Sequence, residues 1–153
     1  MTGGEESRVF GRAAPRASRF RPHGRTEMWA QGAVIYVVAE GPFNREGVDA
    51  FSNEMLSLYR RLPQGSRFVH ITEVRGAMLG TPDAWERLSE YLAAGLKLGL
   101  PMLATAWVAA PDVDGRSLML PRAEKIFTDA GRRFASFETM EAAEEWAHQL
   151  LAS

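Results

Sequence analysis

Hydrophobic residues along the chain follow two periods in turn, one typical of strands and one typical of helices. Residues 33–40 form a nearly continuous, β-branched apolar run, as expected for a strand that is covered on both faces. Residues 48–62 then place Val, Phe, Met and Leu at three- and four-residue steps, which is typical of a helix with one buried face. This change of period predicts a chain that alternates between strand and helix.

Turn and capping residues divide the chain into nine predicted elements. The predicted strands are residues 26–30, 33–40, 67–74, 102–109 and 133–137, and the predicted helices follow Asn44, Thr81 and Thr139, with one more around residues 121–130. The tight turn Gln31-Gly32 makes the first two strands a hairpin. This order predicts an α/β fold in which an N-terminal β-hairpin precedes alternating βα units, giving a mixed, mostly parallel sheet covered by helices.

Composition divides the chain into a tail and one domain. Residues 1–25 are rich in Gly, Ala, Arg, Ser and Pro, which predicts a disordered Arg-rich extension, and residues 26–153 form the predicted domain. The first 26 residues hold six arginines against two glutamates, whereas the remainder holds 12 basic and 17 acidic residues. An organelle transit peptide and an arm attracted to phosphate or membrane remain alternative interpretations of the tail.

Residue types exclude several classes of function. The net charge of −1 argues against nucleic-acid binding, and the chain contains no cysteine. His23, His70 and His148 lie far apart, without the spacing of a metal site. No apolar run is long enough to cross a bilayer, and no secretory signal is present at the N-terminus. We therefore expect no metal or cofactor, no nucleic-acid partner, no transmembrane segment and a cytoplasmic location.

The main candidate site is the junction from Glu73 to Trp85. Here a predicted strand ends in an acidic residue, a glycine-bounded loop follows, and Thr81 and Pro82 begin a helix. Ligands of parallel α/β folds bind at such junctions, because helix-start amides converge there. The loop lacks the lysine of a phosphate-binding P-loop, and the chain contains no Gly-x-Ser-x-Gly nucleophile elbow. The junction thus has the location of a site without the residues of a catalyst.

Five residues in and near this junction are candidates for regulation or partner binding. Thr81 is a helix cap first and a phosphorylation or ligand site second, with Arg75 expected nearby. Glu73 is expected to tether the loop rather than to act as an acid or base. Asn44, like Thr81, is predicted to be a helix cap first and a regulatory or binding residue second. The complete set is Thr81, Glu73, Arg75, Asn44 and Asp83.

Two residue types outside this set could also carry chemistry. His70 lies within an apolar strand, where a hydrogen-bonded core histidine is the favoured interpretation and a catalytic base the alternative. The four tryptophans fall on element faces, so we expect core side chains rather than a ligand platform; they are Trp29, Trp85, Trp107 and Trp146.

Several short segments, taken together and in order, resemble a known family. They are residues 40–47, 68–73, 79–83 and 134–146, together with Gly99 and the apolar strand after it. From about His23 to Leu151 the chain resembles the small bacterial SpoIIAA-like proteins of the STAS superfamily, which have the anti-sigma-factor-antagonist fold. In antagonists of this family a serine or threonine near the position of Thr81 is phosphorylated by a partner kinase. The present chain lacks their Asp-Ser-Ser-Gly type sequence, and Pro82 follows Thr81.

Three functions are therefore considered. The resemblance implies a non-enzymatic regulatory or protein-interaction module, with signalling as one context, that binds an unidentified protein partner through the junction; a homodimer is also considered. The alternative is a small-molecule or lipid-binding protein with an apolar pocket between sheet and helices, lined by Met78, Leu79 and Trp85. A third hypothesis is an enzyme that uses Glu73 and His70.

Overall fold

The computed structural model describes residues 21–100 and 102–153, which form one five-stranded sheet with helices on both faces. The strands are β1 (Arg25–Gln31), β2 (Val34–Glu40), β3 (Phe68–Arg75), β4 (Met102–Val108) and β5 (Arg133–Phe137). The helices are α1 (Arg45–Arg61), α2 (Pro82–Leu98), α3 (Arg116–Asp129) and α4 (Met140–Ala152).

The strands lie in the sheet in their order along the chain. β1 is antiparallel to β2, and each later neighbouring pair is parallel. Gly32 makes the hairpin turn with a positive φ of 61°, a conformation that favours glycine. The predicted α/β fold, with its N-terminal hairpin and mostly parallel sheet, is therefore confirmed. The predicted extension over residues 1–25 lies outside the described residues up to position 20, and β1 begins at Arg25.

Three of the helices begin at the capping residues that the sequence predicts. The side chain of Asn44 accepts a hydrogen bond from the Gly47 amide at 2.9 Å. Thr81 and Thr139 accept from the amides three residues further on, at 3.3 and 3.2 Å. Each side-chain oxygen satisfies one amide that has no partner within its helix, so these residues fix where the helices start.

The start of α3 differs from the prediction. The helix begins at Arg116, directly after Gly115 with its φ of 76°, and Pro121 lies inside it. The prediction placed Pro121 in the first turn, where a missing amide hydrogen is harmless. Within the helix this proline instead removes one backbone hydrogen bond. Met119 and Leu120, which precede the proline in the helix, pack against the buried cluster around Val74 and Met78, and the predicted start around residue 121 is wrong.

Two side chains that the sequence assigned to the core lie at the surface. Leu96 is 57% exposed near the end of α2, and Trp29 is 42% exposed on the edge strand β1, where its ring stacks on Tyr36 at 5.6 Å. The three- and four-residue spacing of Trp85, Leu88, Leu92 and Leu96 predicts that this stripe faces the core, and the prediction is wrong for Leu96. The prediction for Trp29 is wrong because β1 has a neighbouring strand on one side only.

The two faces of the sheet are covered by different helices. α4 packs on one face, where the buried side chains are Val34, Val69, Ile71, Ala106, Val108, Ala143 and Ala147. Ala143 and Ala147 are fully buried, and their small side chains bring α4 close to the strands. On the other face α1 packs against Ile35 and Val37, while α2 and α3 meet around Leu92, Phe127 and Trp107. This second face contains the candidate site.

Candidate functional site

A cavity of about 110 Å³ lies between the sheet and the helices α1 and α2. Its floor is formed by alternate residues of four strands, which point to the same face: Thr26, Val37, Ala39, His70, Thr72, Val74, Thr105 and Trp107. Its helical wall includes Val48, Phe51, Ala84, Trp85, Leu88, Tyr91 and Leu92. None of these described lining residues is aspartate, glutamate, lysine or arginine.

Small residues create the space. Gly24, Ala39, Gly47, Gly80 and Ala84 all line the cavity and supply little or no side-chain volume. Two of the glycines also lie close to neighbouring atoms, one of the backbone and one of a side chain. A Cβ atom on Gly47 would lie 2.2 Å from the carbonyl oxygen of His23, and one on Gly80 would lie 3.0 Å from Nε1 of Trp85. The space of the cavity thus results from the small residues that line it and not from loose packing of large side chains.

Three buried polar atoms around the cavity have no hydrogen-bond partner in the described part of the chain. They are Oγ1 of Thr26, Nε1 of Trp85 and the hydroxyl oxygen of Tyr91, and all three residues line the cavity. A buried donor or acceptor without a partner costs about 1–3 kcal/mol. The indole N–H can only donate, so it requires an acceptor. The cavity therefore has an apolar interior, and three of the residues that line it carry unsatisfied hydrogen-bonding groups, a composition typical of small-molecule sites.

His70 lies on the cavity floor and is 4% exposed. Its Nε2 is 2.8 Å from the hydroxyl oxygen of Tyr59. Burial, reinforced by the positive charge of Arg132, lowers the pKa of His70 to about 3, so the imidazole is neutral near pH 7. The favoured interpretation of His70 as a hydrogen-bonded core histidine agrees with this geometry, but the position of His70 on the cavity floor was not predicted.

The structure does not bring Glu73 and His70 together. Successive residues of a strand point to opposite faces, and His70 and Thr72 face the cavity. Glu73 therefore points to the other face, where it forms an ion pair with Arg75 at 2.9 Å. The arrangement required by an acid–base pair of Glu73 and His70 is absent from this part of the chain.

Three of the predicted candidates, Asn44, Thr81 and Asp83, lie at the starts of α1 and α2 and not among the residues that line the cavity. Thr81 donates to a carboxylate oxygen of Asp83 at 2.6 Å while it caps α2. Arg75, expected near Thr81, is paired with Glu73 instead. Asn44 binds the chain that precedes β1: its side chain accepts from the His23 amide at 2.7 Å and donates to the Arg21 carbonyl at 2.8 Å.

Backbone hydrogen bonds link the three loops that form the rim of the cavity. The Phe43 amide donates to the Leu79 carbonyl, and the Thr81 amide donates to the Phe43 carbonyl, at 2.9 and 3.1 Å. The Met78 amide donates to the Asp114 carbonyl, and the Asp114 amide donates to the Gly76 carbonyl, at 2.8 and 3.0 Å. The loops after β2, β3 and β4 are consequently joined into one rim.

Sequence reasoning found part of the cavity wall and missed its floor. Met78 and Trp85 line the cavity as expected, whereas Leu79 lies against Gly115. The missed residues include Thr26, His70, Thr72 and Thr105. One signal was available: His70 and Thr72 stand two residues apart in the central apolar strand, so both fall on one face. Two successive polar residues on the buried face of a strand indicate either hydrogen bonds within the core or a ligand-binding site.

Comparison with known proteins identifies no relative: no family model, curated protein or solved structure matches the chain. Within the described residues, no group of three or more His, Cys, Asp or Glu side chains is placed to hold a metal ion. Every helix in the same part of the chain is too short or too polar to span a membrane.

Proposed function

We propose that this protein binds a small amphipathic molecule in the cavity between the sheet and helices α1 and α2. The observation that carries the proposal is the coincidence of an apolar cavity with three unpartnered polar groups, those of Thr26, Trp85 and Tyr91. A ligand with polar atoms would satisfy groups that the protein leaves unsatisfied, and its apolar part would be removed from water. Binding without catalysis is the activity that we assign to the protein.

The size of the cavity limits the ligand. An engineered apolar cavity of about 150 Å³ holds one benzene molecule. At about 110 Å³, the present cavity suits a single ring or a chain of a few carbon atoms, with a longer tail accommodated only toward the opening. A long-chain lipid held entirely inside is therefore excluded from the proposal, and small amphipathic molecules are preferred.

The first test uses 1-hexanol as a probe and the intrinsic fluorescence of Trp85 and Trp107, which both line the cavity. We expect a saturable change in emission for the wild type. Thr72→Leu places a larger apolar side chain on the cavity floor and should abolish the change. The matched control is Thr128→Leu, the same substitution at an exposed position of α3, which should bind like the wild type.

Native mass spectrometry of gently purified protein gives an independent test. We expect a bound small molecule on the wild type and on Thr128→Leu but not on Thr72→Leu. Equal responses of all three proteins to 1-hexanol, together with a clean unliganded mass for each, would overturn the proposal.

A regulatory or protein-interaction role is the second candidate, and it is favoured by the exposure of the rim. Thr81 and Asp83 are exposed at the start of α2, and Arg75 is exposed at the end of β3. The resemblance to SpoIIAA-like proteins supports the same position. Affinity purification from the native cell, with wild type and Thr81→Glu as baits, tests this role. A partner that is retained by one form and lost by the other would support it, and identical profiles would contradict it.

A further inference from the structure

The side chain of Arg132 is buried without a carboxylate partner. Arg132 is 9% exposed, and in the described part of the chain its guanidinium forms no ion pair with an aspartate or glutamate. Its side-chain donor contacts the sulfur atom of Met102. A thioether is a weak acceptor, whereas a guanidinium carries five N–H donors. A buried cation in this state is costly unless an anion accompanies it.

The surroundings of Arg132 hold it in this position. Gly95 on α2 provides the room, since a Cβ atom there would lie 2.9 Å from Nη2 of Arg132. Glycine within a helix costs about 1 kcal/mol relative to alanine, so the space has an energetic cost of its own. The Arg132 amide also donates to the Phe127 carbonyl at 2.9 Å, which fixes the backbone just before β5.

Two donors from different parts of the chain meet at the sulfur atom of Met102; Arg132 is not among the lining residues and reaches the cavity wall through Met102. The Thr105 hydroxyl donates to the sulfur of Met102 at 3.0 Å, the same atom that the Arg132 guanidinium contacts. Tyr91, whose hydroxyl has no partner among the described residues, lines the same cavity, and the positive charge of Arg132 opposes the rise in the pKa of Tyr91 that burial causes. Met102, Thr105 and Tyr91 all line the cavity. One weak acceptor therefore meets two donors, and a third donor without a partner among the described residues lines the same cavity.

We propose that the ligand is a small carboxylic acid, whose carboxylate binds in the cavity in the place of the Met102 sulfur. This inference rests on the proposed function and specifies its ligand class. Arg132 would supply the balancing charge, and Thr105 and Tyr91 would donate to the carboxylate oxygens. Methionine has a flexible side chain, so its sulfur can move aside at low cost. No acidic side chain among the described lining residues would repel the anion.

The test compares hexanoate with 1-hexanol, two probes that share a six-carbon chain and differ in the head group. We expect hexanoate at pH 7 to bind the wild type at least about tenfold more tightly than it binds Arg132→Met, a difference of about 1.4 kcal/mol. The affinity for 1-hexanol should change by less than about threefold between the same proteins. Replacing a buried charge by an apolar side chain of similar volume is often neutral or stabilising, so Arg132→Met should fold.

Two further variants complete the experiment. Arg133→Met removes an exposed charge one residue away and should leave both affinities unchanged. Tyr91→Phe removes one proposed donor and should weaken hexanoate more than 1-hexanol. If Arg132→Met and Tyr91→Phe alter the two affinities equally, the carboxylate inference is overturned while ligand binding stands. If neither probe binds the wild type, the proposed function itself is overturned.

Discussion

On one face of the sheet, α4 closes over a continuous apolar core in which Val69, Ile71, Ala106, Ala143 and Ala147 are fully buried. On the other face the same strands present Thr26, His70, Thr72 and Thr105 to a cavity. Both faces come from the same alternating strands, so the difference lies in residue choice and not in topology. The filled face contributes close packing to the stability of the fold. The cavity face lacks some packing contacts and hydrogen bonds, which a bound ligand would supply.

The largest expected difference between the faces is in their response to acid. The unfolded chain protonates a histidine near pH 6.5, while folded His70 remains neutral until about pH 3. Stability from this group is therefore fully present above pH 6.5 and is lost as the pH falls toward 3, by up to about 1.4 kcal/mol per pH unit. Urea denaturation at pH values between about 4 and 7 should show this slope reduced in His70→Gln. His148→Gln, at an exposed position, should keep it, and equal slopes would contradict the prediction.

Matched valine-to-alanine substitutions on the two faces should differ in their effect on the free energy of unfolding. Val69 is fully buried in the filled face, and Val37 is 1% exposed but lines the cavity. We expect Val69→Ala to cost about 2–3 kcal/mol and Val37→Ala about 1 kcal/mol less, because a side chain beside a void has fewer neighbours to lose. Chemical denaturation measures both. A larger loss for Val37→Ala would mean that the cavity is filled in solution.

The contribution of a helix cap to the free energy of unfolding should not depend on which face of the sheet its helix covers. Thr81 caps α2 on the cavity face, and Thr139 caps α4 on the filled face. Replacement of either residue by alanine should cost about 1 kcal/mol, and replacement by serine should cost less. Thermal and urea denaturation measure the cost. If Thr81→Ala leaves stability unchanged, Thr81 is not held as a cap, and its interpretation as a regulatory residue gains support.

The smallest effect is expected at Thr26, whose hydroxyl lacks a partner. Thr26→Val keeps the shape of the side chain and removes the unsatisfied group, so stability should stay constant or rise by up to about 1 kcal/mol. Thr105→Val is the control, because its hydroxyl does donate, to Met102, and its loss should be destabilising. A clear loss of stability in Thr26→Val would indicate that the hydroxyl is satisfied, for instance by water.

Local signals were sufficient to predict the fold. The β-branched run at residues 33–40 and the caps Asn44, Thr81 and Thr139 act within a few residues of themselves, so their effects can be deduced from the sequence. Pro121 was misplaced because tertiary context tolerates a proline inside α3. Trp29 was misassigned because its exposure depends on the absence of a neighbour beyond β1, which no local pattern encodes.

The site was harder to predict because it depends on distant residues meeting. The position of the junction predicted Thr81 and Glu73 as site residues. Thr81 lies at the rim and Glu73 on the opposite face of the sheet, while the cavity floor comes from four strands. Arg132 and Met102 lie 30 positions apart, and nothing near either residue indicates that they touch. The stability cost of an unpartnered donor becomes visible only when all its neighbours are known. The assignments of Thr81, Glu73, Arg75, Asn44 and Asp83 as regulatory residues remain predictions.

The joined rim has a consequence for communication across the molecule. Met78 and Gly80 line the cavity, and the backbone beside them is hydrogen-bonded to Phe43 on one side and to Asp114 on the other. A displacement of this segment would therefore be transmitted to the starts of α1 and α3 at once. By linkage, if a molecule inside the cavity and a molecule outside it both bind one position of these loops more tightly than another, each alters the affinity for the other by the same factor. The rim thus offers a physical route by which occupancy of the cavity and association at the surface could be reciprocal.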